Sequence, residues 1–504
     1  MALADELILA IDQGTTGTKV LLFDRKAEVC GTFYRELTQY YPRPGWVEHD
    51  PVEIWEGVVE LIQRAMTIME EPRQVRAIAV TNQRETVVVW ERATGRPLAP
   101  AVVWQCRRST EICRALREEG LEETFRRKTG LTIDPYFSGT KMRWLLEEIP
   151  GLKARAAHGE LCFGTIDAWL LWNLTGGKAF ATDYSNAART LFFNIYDLDW
   201  DDELLAVLGV PRATLPEARP SSCFYGETVA LGKLPAGIPI TAMIGDSQAA
   251  LFGEACFAPG MAKATYGTGT SVMVFAGPKQ IQAPPGLVAT IAWGLGREVG
   301  YAYEGLINVT GATMQWLRDG LGIIEDVAES SAIASRLSGN DGVYLVPAFV
   351  GLAAPYWDME ARGLITGLTR GTTRAHLIRA GLESIAYQVR DVVELIRESG
   401  GLGLTSLRAD GGAAENEFLM QFQADILDVE VVKPRIKELS ALGAAYLAGL
   451  QTGFWADLQE IVATWRAERV YHPRMEPELR ERYFTEWKRA VVRALTRPGE
   501  TRKL

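Results

Sequence analysis

The chain has 504 residues, of which 47% are hydrophobic and 23% charged, and its net charge is −10. This length is too great for one hydrophobic core and predicts two large domains of ordinary globular composition. The acidic balance argues against nucleic acid as a partner, because phosphate backbones attract basic surfaces. It still allows ATP, for which a few local cations, helix N-termini and Mg²⁺ suffice.

The sequence predicts where in the cell the protein is found from its cysteines, its histidines and the lengths of its apolar runs. The six cysteines are scattered without a C-x-x-C pair and the four histidines are isolated, so no zinc spacing can be assembled. Scattered thiols are typical of a reducing cytoplasm. The N-terminus carries Asp5 and Glu6 in place of a basic region, and no apolar run approaches the roughly 20 residues that span a bilayer. We expect a cytoplasmic protein without membrane insertion.

The first predicted element is a hairpin in the stretch AIDQGTTGTKVLLFD, residues 10–24, where two apolar runs flank a polar bend. Gly14 and Gly17 supply backbone angles that side chains forbid. A turn needs neither the run of hydroxyls nor Asp12 and Lys19 at its ends. These groups suit a phosphate cradle in which the carboxylate holds Mg²⁺. A polar hairpin with incidental threonines is the alternative. The predicted phosphate contacts are Thr15, Thr16, Gly17 and Lys19.

Strand-like and helix-like runs alternate through the rest of the first half. Such alternation predicts an α/β sheet with ligands at the strand ends. The predicted elements are a helix after the N-cap Asp50, a strand, a hairpin and two further helices, at residues 51–69, 75–81, 86–95, 111–119 and 140–148.

The second half begins with a motif similar to the opening hairpin. An apolar strand at 238–244 ends in GDSQAALFGE, and MAKATYGTGTSVMVFAG follows as a second Gly/Thr bend between two strands. Two such hairpins predict a duplicated α/β domain with a nucleotide between the halves. We place the boundary after Gly253, giving domains 1–253 and 254–504. A C-terminal helix at 483–493 is predicted to bury Trp487, Val491 and Val492.

Asp246 is the candidate catalytic base. It lies where an apolar strand ends, within Gly245-Asp246-Ser247. A carboxylate there can accept the proton of a substrate hydroxyl while phosphate arrives from the opposite half. The alternative is an N-cap for the following helix. Asp12 has no evident capping role and is predicted to coordinate Mg²⁺.

Four further residues are candidates for binding a polyol. Arg84 and Glu85, in TNQRETVVVW, would offer donors and an acceptor to adjacent hydroxyls. Trp104 would form a flat wall for a carbon chain, and Tyr136 would offer its hydroxyl. The alternatives are a surface salt bridge, a core tryptophan and a loop anchor.

A glycine pair in RADGGAAENEF marks a candidate nucleoside site. Gly411 and Gly412 would let the backbone pass close to an adenine ring, and Asn416 could bind the base or ribose. A plain strand-to-helix turn is the alternative. Gly311 and Gln315, in TGATMQW, could form the opposite wall.

The motifs together resemble the FGGY family of carbohydrate kinases, and within it the members that phosphorylate glycerol. The matching blocks include IDQGTTGTK, TNQRETVVVW, VVWQCRRST, GDSQAALFGE, GMAKATYGTGT and DGGAAENEFLMQFQADIL, and they span nearly the whole chain. The resemblance implies two actin/hexokinase-like (ribonuclease H-like) domains with ATP in the cleft between them. It implies transfer of the γ-phosphate to a terminal hydroxyl, with Mg²⁺. It places the acceptor contacts at Arg84, Glu85, Trp104, Tyr136, Asp246 and Ser247. It places the phosphate contacts at Thr15, Thr16, Lys19 and Thr268. It places the nucleoside contacts at Gly311, Gln315, Gly412 and Asn416.

Four positions depart from the pattern of the glycerol-phosphorylating members. Ser247 stands where they usually have Gln, and Ser271 where they usually have Phe. Lys19 replaces Arg and so loses the bidentate fork, and Cys106 replaces Asp. Two serines in place of large side chains predict a larger, wetter pocket. A longer polyol or a ketose is therefore the alternative acceptor.

Two regulatory features known in some family members are not expected in this chain. The loop CFYGETVA, at 223–230, lacks the histidine that some family members phosphorylate, and LGKLPAGIPI, at 231–240, lacks their Gly-Gly-Thr-Arg loop for fructose 1,6-bisphosphate. The resemblance suggests a homodimer or homotetramer. A non-catalytic ATP-driven switch would not need the four polyol candidates, and a polyol sensor would not need both Asp12 and Asp246.

Overall fold

In the computed structural model, residues 6–69, 71 and 74–496 are described. The first half of the chain, up to the helix that begins at Asp246, contains fourteen strands and nine α-helices within the described residues. Its strands are β1 Leu7–Gln13, β2 Gly17–Phe23, β3 Val29–Glu36, β4 Glu48–His49, β5 Val75–Asn82, β6 Val88–Glu91, β7 Ala101–Val102, β8 Leu161–Gly164, β9 Ala181–Asp183, β10 Phe193–Asn194, β11 Asp199–Trp200, β12 Glu217–Arg219, β13 Ser222–Glu227 and β14 Pro239–Gly245. Its helices are α1 Pro51–Met66, α2 Thr110–Glu118, α3 Glu122–Thr129, α4 Ser138–Glu148, α5 Leu152–Ala157, α6 Ile166–Leu174, α7 Tyr184–Ala187, α8 Asp202–Leu208 and α9 Asp246–Gly253.

The second half repeats the mixture of strands and helices. Its strands are β15 Met261–Tyr266, β16 Thr270–Gly277, β17 Val288–Leu295, β18 Glu298–Ile307, β19 Tyr344–Val346, β20 Leu364–Thr366, β21 Ser406–Asp410, β22 Val431–Pro434 and β23 Ala467–Tyr471. Its helices are α10 Gly311–Gln315, α11 Ser330–Ser335, α12 Arg374–Gly400, α13 Glu417–Leu427, α14 Leu439–Thr452, α15 Leu458–Thr464 and α16 Pro477–Ala494.

One 13-stranded sheet runs through both halves, in the order β23-β22-β21-β15-β16-β18-β17-β13-β14-β5-β1-β2-β3. In the first half β3, β2 and β1 pair antiparallel, and β5 and β14 then continue parallel to β1. In the second half β18, β16 and β15 pair antiparallel, and β21 and β22 continue parallel to β15. The predicted duplication and the α/β fold class are confirmed, whereas the boundary at Gly253 stays a prediction.

Both Gly/Thr hairpins form as predicted, but the opening hairpin uses glycine for a different reason. Asp12 pairs with Lys19 across β1 and β2. Neither Gly14 nor Gly17 has a positive φ, so the predicted need for forbidden backbone angles is wrong. A Cβ on Gly17 would lie 2.6 Å from the carbonyl oxygen of Arg35 and 2.5 Å from the ring of Tyr34. Close strand approach therefore selects glycine there.

Helices α9 and α14 cross at the junction of the two halves. Although α14 belongs to the second half, it packs on β1, β5 and β14 of the first. A Cβ on Gly443 would lie 1.8 Å from the carbonyl oxygen of Ala249, and one on Gly253 would lie 2.3 Å from that of Leu439. The two backbones are thus in direct contact, which holds the middle and end of α9 against the first turns of α14.

Most predicted local elements are confirmed. Asp50 caps α1 by accepting a hydrogen bond from the Val52 N–H. The predicted 86–95 hairpin is only partly formed: β6 pairs mainly with β8, and its return segment contributes a single bridge between Trp90 and Pro97. In α16 Trp487 and Val491 are buried, but Val492 is 37% exposed because it lies one residue past the buried stripe. No helix within the described ranges is long and apolar enough to cross a membrane.

Replacing Gly443 by alanine should separate α9 from α14. The new methyl group would overlap the Ala249 carbonyl, and we expect a loss of about 3 kcal/mol in the free energy of unfolding. Urea unfolding followed by circular dichroism measures it. Gly403→Ala is the matched control, since its Cβ would have no neighbour within 4 Å. Equal stability of the two variants would contradict the close crossing.

Candidate active site

The carboxyl ends of three parallel strands bring the two candidate aspartates to one edge of the sheet. Asp12 near the end of β1 pairs with Thr81 of β5, and Gly245 at the end of β14 pairs with Asn82 of the same strand. Asp246 therefore lies at the same sheet edge as Asp12, with β5 between their two strands. Ligands bind at such strand ends in α/β sheets.

Asp246 is held on several sides but remains accessible. Its carboxylate accepts a hydrogen bond from the Ser247 N–H at 2.7 Å and lies 3.1 Å from the Arg84 Nε. Its backbone carbonyl accepts a hydrogen bond from the Ser440 hydroxyl of α14 at 3.0 Å. The side chain is nevertheless 41% exposed. The carboxylate is thus oriented yet open to a substrate hydroxyl.

A buried network of four charged residues lies behind Asp246. Glu304 Oε1 contacts Arg84 Nη2 at 2.9 Å, and Glu304 Oε2 contacts Arg189 Nη1 at 2.6 Å. Arg189 Nε donates to Glu85 Oε1 at 2.5 Å. Glu304 is fully buried, but the two guanidinium groups lower its pKa to about 2 against the cost of burial. The network fixes both predicted acceptor residues, Arg84 and Glu85, by charge.

Glu85 adopts a strained backbone. Its φ is +62°, a conformation that a residue with a side chain rarely adopts. The Ser138 hydroxyl donates to its carbonyl at 3.1 Å, and its side chain is bound by Arg189. These contacts hold the turn that directs the Glu85 carboxylate toward Arg189, and strained turns of this kind are concentrated at functional sites.

Two aromatic residues join the candidate acceptor pocket to the phosphate loop. The rings of Trp104 and Tyr136 meet edge to face with centroids 5.4 Å apart. The Trp104 indole N–H donates to the Thr15 hydroxyl at 2.8 Å. Below them, the buried Lys141 ammonium binds the backbone carbonyls of Tyr136 and Phe137. Trp104 therefore lies between the predicted acceptor and phosphate sites.

A polar network supports the candidate phosphate loop, the bend of the opening hairpin, from below. The Gln39 amide donates to the Thr15 carbonyl at 2.8 Å, and His49 Nε2 lies 2.9 Å from the Gln39 Oε1. Gln83 donates to Gln13 at 3.0 Å and lies 3.4 Å from His49 Nδ1. Burial lowers the pKa of His49 to about 4, so the imidazole is neutral near pH 7.

Asp12 and Lys19 provide opposite charges beside this loop. Burial, followed by the charge of Asp246, raises the pKa of Asp12 to about 7. The Lys19 ammonium lies 2.6 Å from Glu438, just before α14. Within the described ranges no group of three or more His, Cys, Asp or Glu side chains is arranged to hold a metal ion.

The predicted nucleoside residues have unequal surroundings. Gly412 is exposed, and a Cβ there would have no neighbour within 4 Å, which leaves its backbone open to a flat ligand. A Cβ on Gly311 would lie 2.5 Å from the Gly267 carbonyl, so glycine is needed where α10 meets the second hairpin, beside the exposed Thr268. Gln315 is exposed at the end of α10.

Asn416 has a structural role as well as its predicted one. Its Oδ1 accepts from the Leu419 N–H at 3.0 Å and caps α13, while its amide donates to Ser330 at 2.9 Å. Because both polar atoms of the Asn416 side chain have partners within the protein, its contact with a nucleoside stays a prediction.

The two unusual serines lie next to each other. Ser247 Oγ and Ser271 Oγ are 3.1 Å apart, and Ser271 donates to Glu304 at 3.2 Å. Lys263 donates to Ser247 at 2.9 Å. The hydroxyls are engaged with charged partners, and a wider pocket at these positions stays a prediction.

Sequence reasoning missed Arg189, Glu304 and Lys263 as members of the site. Lys263 and Glu304 are single charged residues inside apolar strands, MAKATY and YAYEGLI, and that pattern was the available signal. Arg189 lies in NAART after a short helix and carries no comparable signal. All three are buried by residues distant in the chain.

Comparison with known proteins gives the class. The model of the FGGY family of carbohydrate kinases, N-terminal domain, matches residues 7–253, and the C-terminal domain model matches residues 262–452. The chain belongs to the FGGY family of carbohydrate kinases. It is therefore a phosphotransferase that acts on an alcohol group.

Several relatives are similar over nearly their whole length. The chain is 54% identical to glycerol kinase 2 of Thermotoga maritima over 97% of this chain and 98% of that protein. It is also 54% identical to a glycerol kinase of Carboxydothermus hydrogenoformans, with the same coverage. A crystal structure of Plasmodium falciparum glycerol kinase with ADP superposes with a TM-score of 0.93 at 35% identity, covering 97% of this chain and 98% of that one.

Replacing His49 by glutamine should change how stability depends on pH. The imidazole has a pKa of about 4 in the folded protein and about 6.5 when unfolded, so the unfolded chain binds more protons between those values. The stability contributed by neutral His49 is therefore lost as pH falls from 6.5 to 4. Relative to His49→Gln, the wild type should lose about 3 kcal/mol of unfolding free energy by pH 4.

Urea unfolding of both proteins at several pH values between 4 and 7 measures this difference. His158→Gln, which changes an exposed histidine, is the control and should follow the wild type. Parallel pH profiles for the wild type and His49→Gln would contradict a buried neutral His49.

Proposed function

We propose that this protein phosphorylates glycerol with ATP, giving sn-glycerol 3-phosphate and ADP. The observation that carries the proposal is Asp246, an accessible carboxylate held by Arg84 at the strand ends that also carry the phosphate hairpin. The identity above half with relatives named glycerol kinase supports glycerol as the acceptor.

The proposed reaction is an in-line transfer. Asp246 accepts the proton of the terminal hydroxyl as its oxygen bonds to the γ-phosphorus, and the bond from that phosphorus to the bridging oxygen breaks to release ADP. Arg84 donates to, and Glu85 accepts from, the remaining hydroxyls, which both donate and accept. Trp104 and Tyr136 cover the carbon chain and exclude water.

Mg²⁺ belongs to this proposal, with Asp12 as its protein ligand. The residues fit such an ion, because burial and then the negative charge of Asp246 raise the pKa of Asp12 to about 7, and a bound cation would favour the ionised carboxylate. Mg²⁺ commonly binds through one or two carboxylates, with waters and substrate phosphates as its other ligands. Bound there, it would neutralise charge on the phosphates. Lys19, Thr15, Thr16 and Thr268 would contact the same phosphates.

A longer polyol or a ketose is the second candidate acceptor, favoured by the small side chains of Ser247 and Ser271 beside the base. ADP release with Mg-ATP and glycerol, dihydroxyacetone, erythritol, threitol, xylitol or D-xylulose compares them by kcat/KM. The highest value for glycerol would support the proposal. A highest value for a four- or five-carbon acceptor would replace the substrate, and ADP release independent of any acceptor would indicate an ATPase switch.

Asp246→Asn should abolish most of the turnover. The amide cannot accept the hydroxyl proton, and removing a general base typically lowers kcat by about a thousandfold. Coupled ADP release measures kcat, and equilibrium dialysis with ATP should show nearly unchanged binding. Asp202→Asn, a change of an aspartate whose side chain is 82% exposed, is the matched control. Turnover near the wild-type value in Asp246→Asn would reject the assigned base.

A further inference from the structure

Ser247 and Ser271 form a continuous hydroxyl wall beside the candidate base. Ser247 follows Asp246 in α9 and is buried, while Ser271 in β16 is half-buried. At one end of the wall, Lys263 of β15 donates to Ser247 Oγ at 2.9 Å. At the other end, Ser271 Oγ donates to Glu304 Oε1 at 3.2 Å, and Glu304 contacts Arg84. The wall therefore connects a buried ammonium group to a buried carboxylate.

The two charged ends fix the direction of every hydrogen bond between them. An ammonium group only donates and an ionised carboxylate only accepts. Burial lowers the pKa of Lys263, while the negative charges of Asp410, Asp246 and Glu304 favour its ammonium form. The Lys263 Nζ donates to both the Ser247 and the Thr265 hydroxyls. Glu304 is ionised because two guanidinium groups contact it.

Only one arrangement of hydroxyl hydrogens satisfies all three contacts. Ser247 accepts from Lys263 and gives its hydrogen to Ser271, and Ser271 gives its hydrogen to Glu304. Each serine oxygen then has a lone pair left and no hydrogen to donate. The wall can accept a hydrogen bond from a ligand but cannot offer one.

We infer that Lys263, Ser247 and Ser271 determine acceptor specificity, by making this wall select a hydroxyl group over a carbonyl group on the acceptor. A polyol hydroxyl donates to the exposed side of Ser271 Oγ. A ketone oxygen at the same place meets a lone pair instead and is repelled. The inference rests on the proposed polyol kinase function, and it predicts glycerol over dihydroxyacetone, which differ only at the middle carbon.

The test compares kcat/KM for glycerol with kcat/KM for dihydroxyacetone in each variant. In Ser271→Ala the acceptor oxygen is lost and the Ser247 hydrogen becomes free to donate. In Ser247→Ala the Lys263 ammonium loses the Ser247 oxygen and can donate that hydrogen to the acceptor. Both changes favour the ketone, and we expect the glycerol-to-dihydroxyacetone ratio to fall about fivefold, the size of one hydrogen bond.

The ratio does not depend on the fraction of folded enzyme, so a partly unstable variant remains informative. Ser271→Thr keeps the hydroxyl and should keep the ratio within about twofold of the wild type. Unchanged ratios in both alanine variants would overturn the inference, as would equal shifts in Ser271→Thr and Ser271→Ala. Failure of the wild type to release ADP with any polyol would instead reject the proposed function.

Discussion

The ion network of Arg84, Glu85, Arg189 and Glu304 is the interaction on which the site depends. Glu304 comes from the second half of the chain and the other three from the first, so the network joins the duplicated halves. Removing one charge would leave its partner buried and uncompensated, which is more costly than losing an exposed pair. The buried charge network behind Asp246 therefore forms only when both halves are folded and together.

The same architecture explains how one sheet serves two ligands. Each half begins with an antiparallel hairpin whose bend carries glycine and threonine, and each continues into parallel strands. In the first half the strand ends carry Asp12 and Asp246, whereas in the second half the end of β21 leads through Gly411 to the open backbone of Gly412. Duplication thus gives two similar arrangements of strands, and the side chains at the strand ends make the two arrangements chemically different.

Local patterns were sufficient for much of the fold and for part of the site. The hairpins, α1, and the strand end at Asp246 were predictable because glycine, capping and apolar spacing act over a few neighbouring residues. Pairings such as Arg84 with Glu304, 220 positions apart, could not be predicted, since no local pattern encodes them. For the same reason the spatial crowding at Gly17 was mistaken for a demand on backbone angle. The domain boundary, the homo-oligomer and the cytoplasmic location stay predictions.

The start of α14 has a mechanical consequence for the cleft. Glu438 contacts the Lys19 ammonium, and Ser440, two positions on, contacts the Asp246 carbonyl. Two residues of helix advance only about 3 Å along its axis, and a helix is stiff over that distance. The start of α14 thus contacts both the opening hairpin, at Lys19, and the backbone of Asp246. Because the backbone at Gly443 contacts α9 directly, the spacing between Asp246 and the opening hairpin is set by backbone contact, which flexible side chains could not hold as firmly.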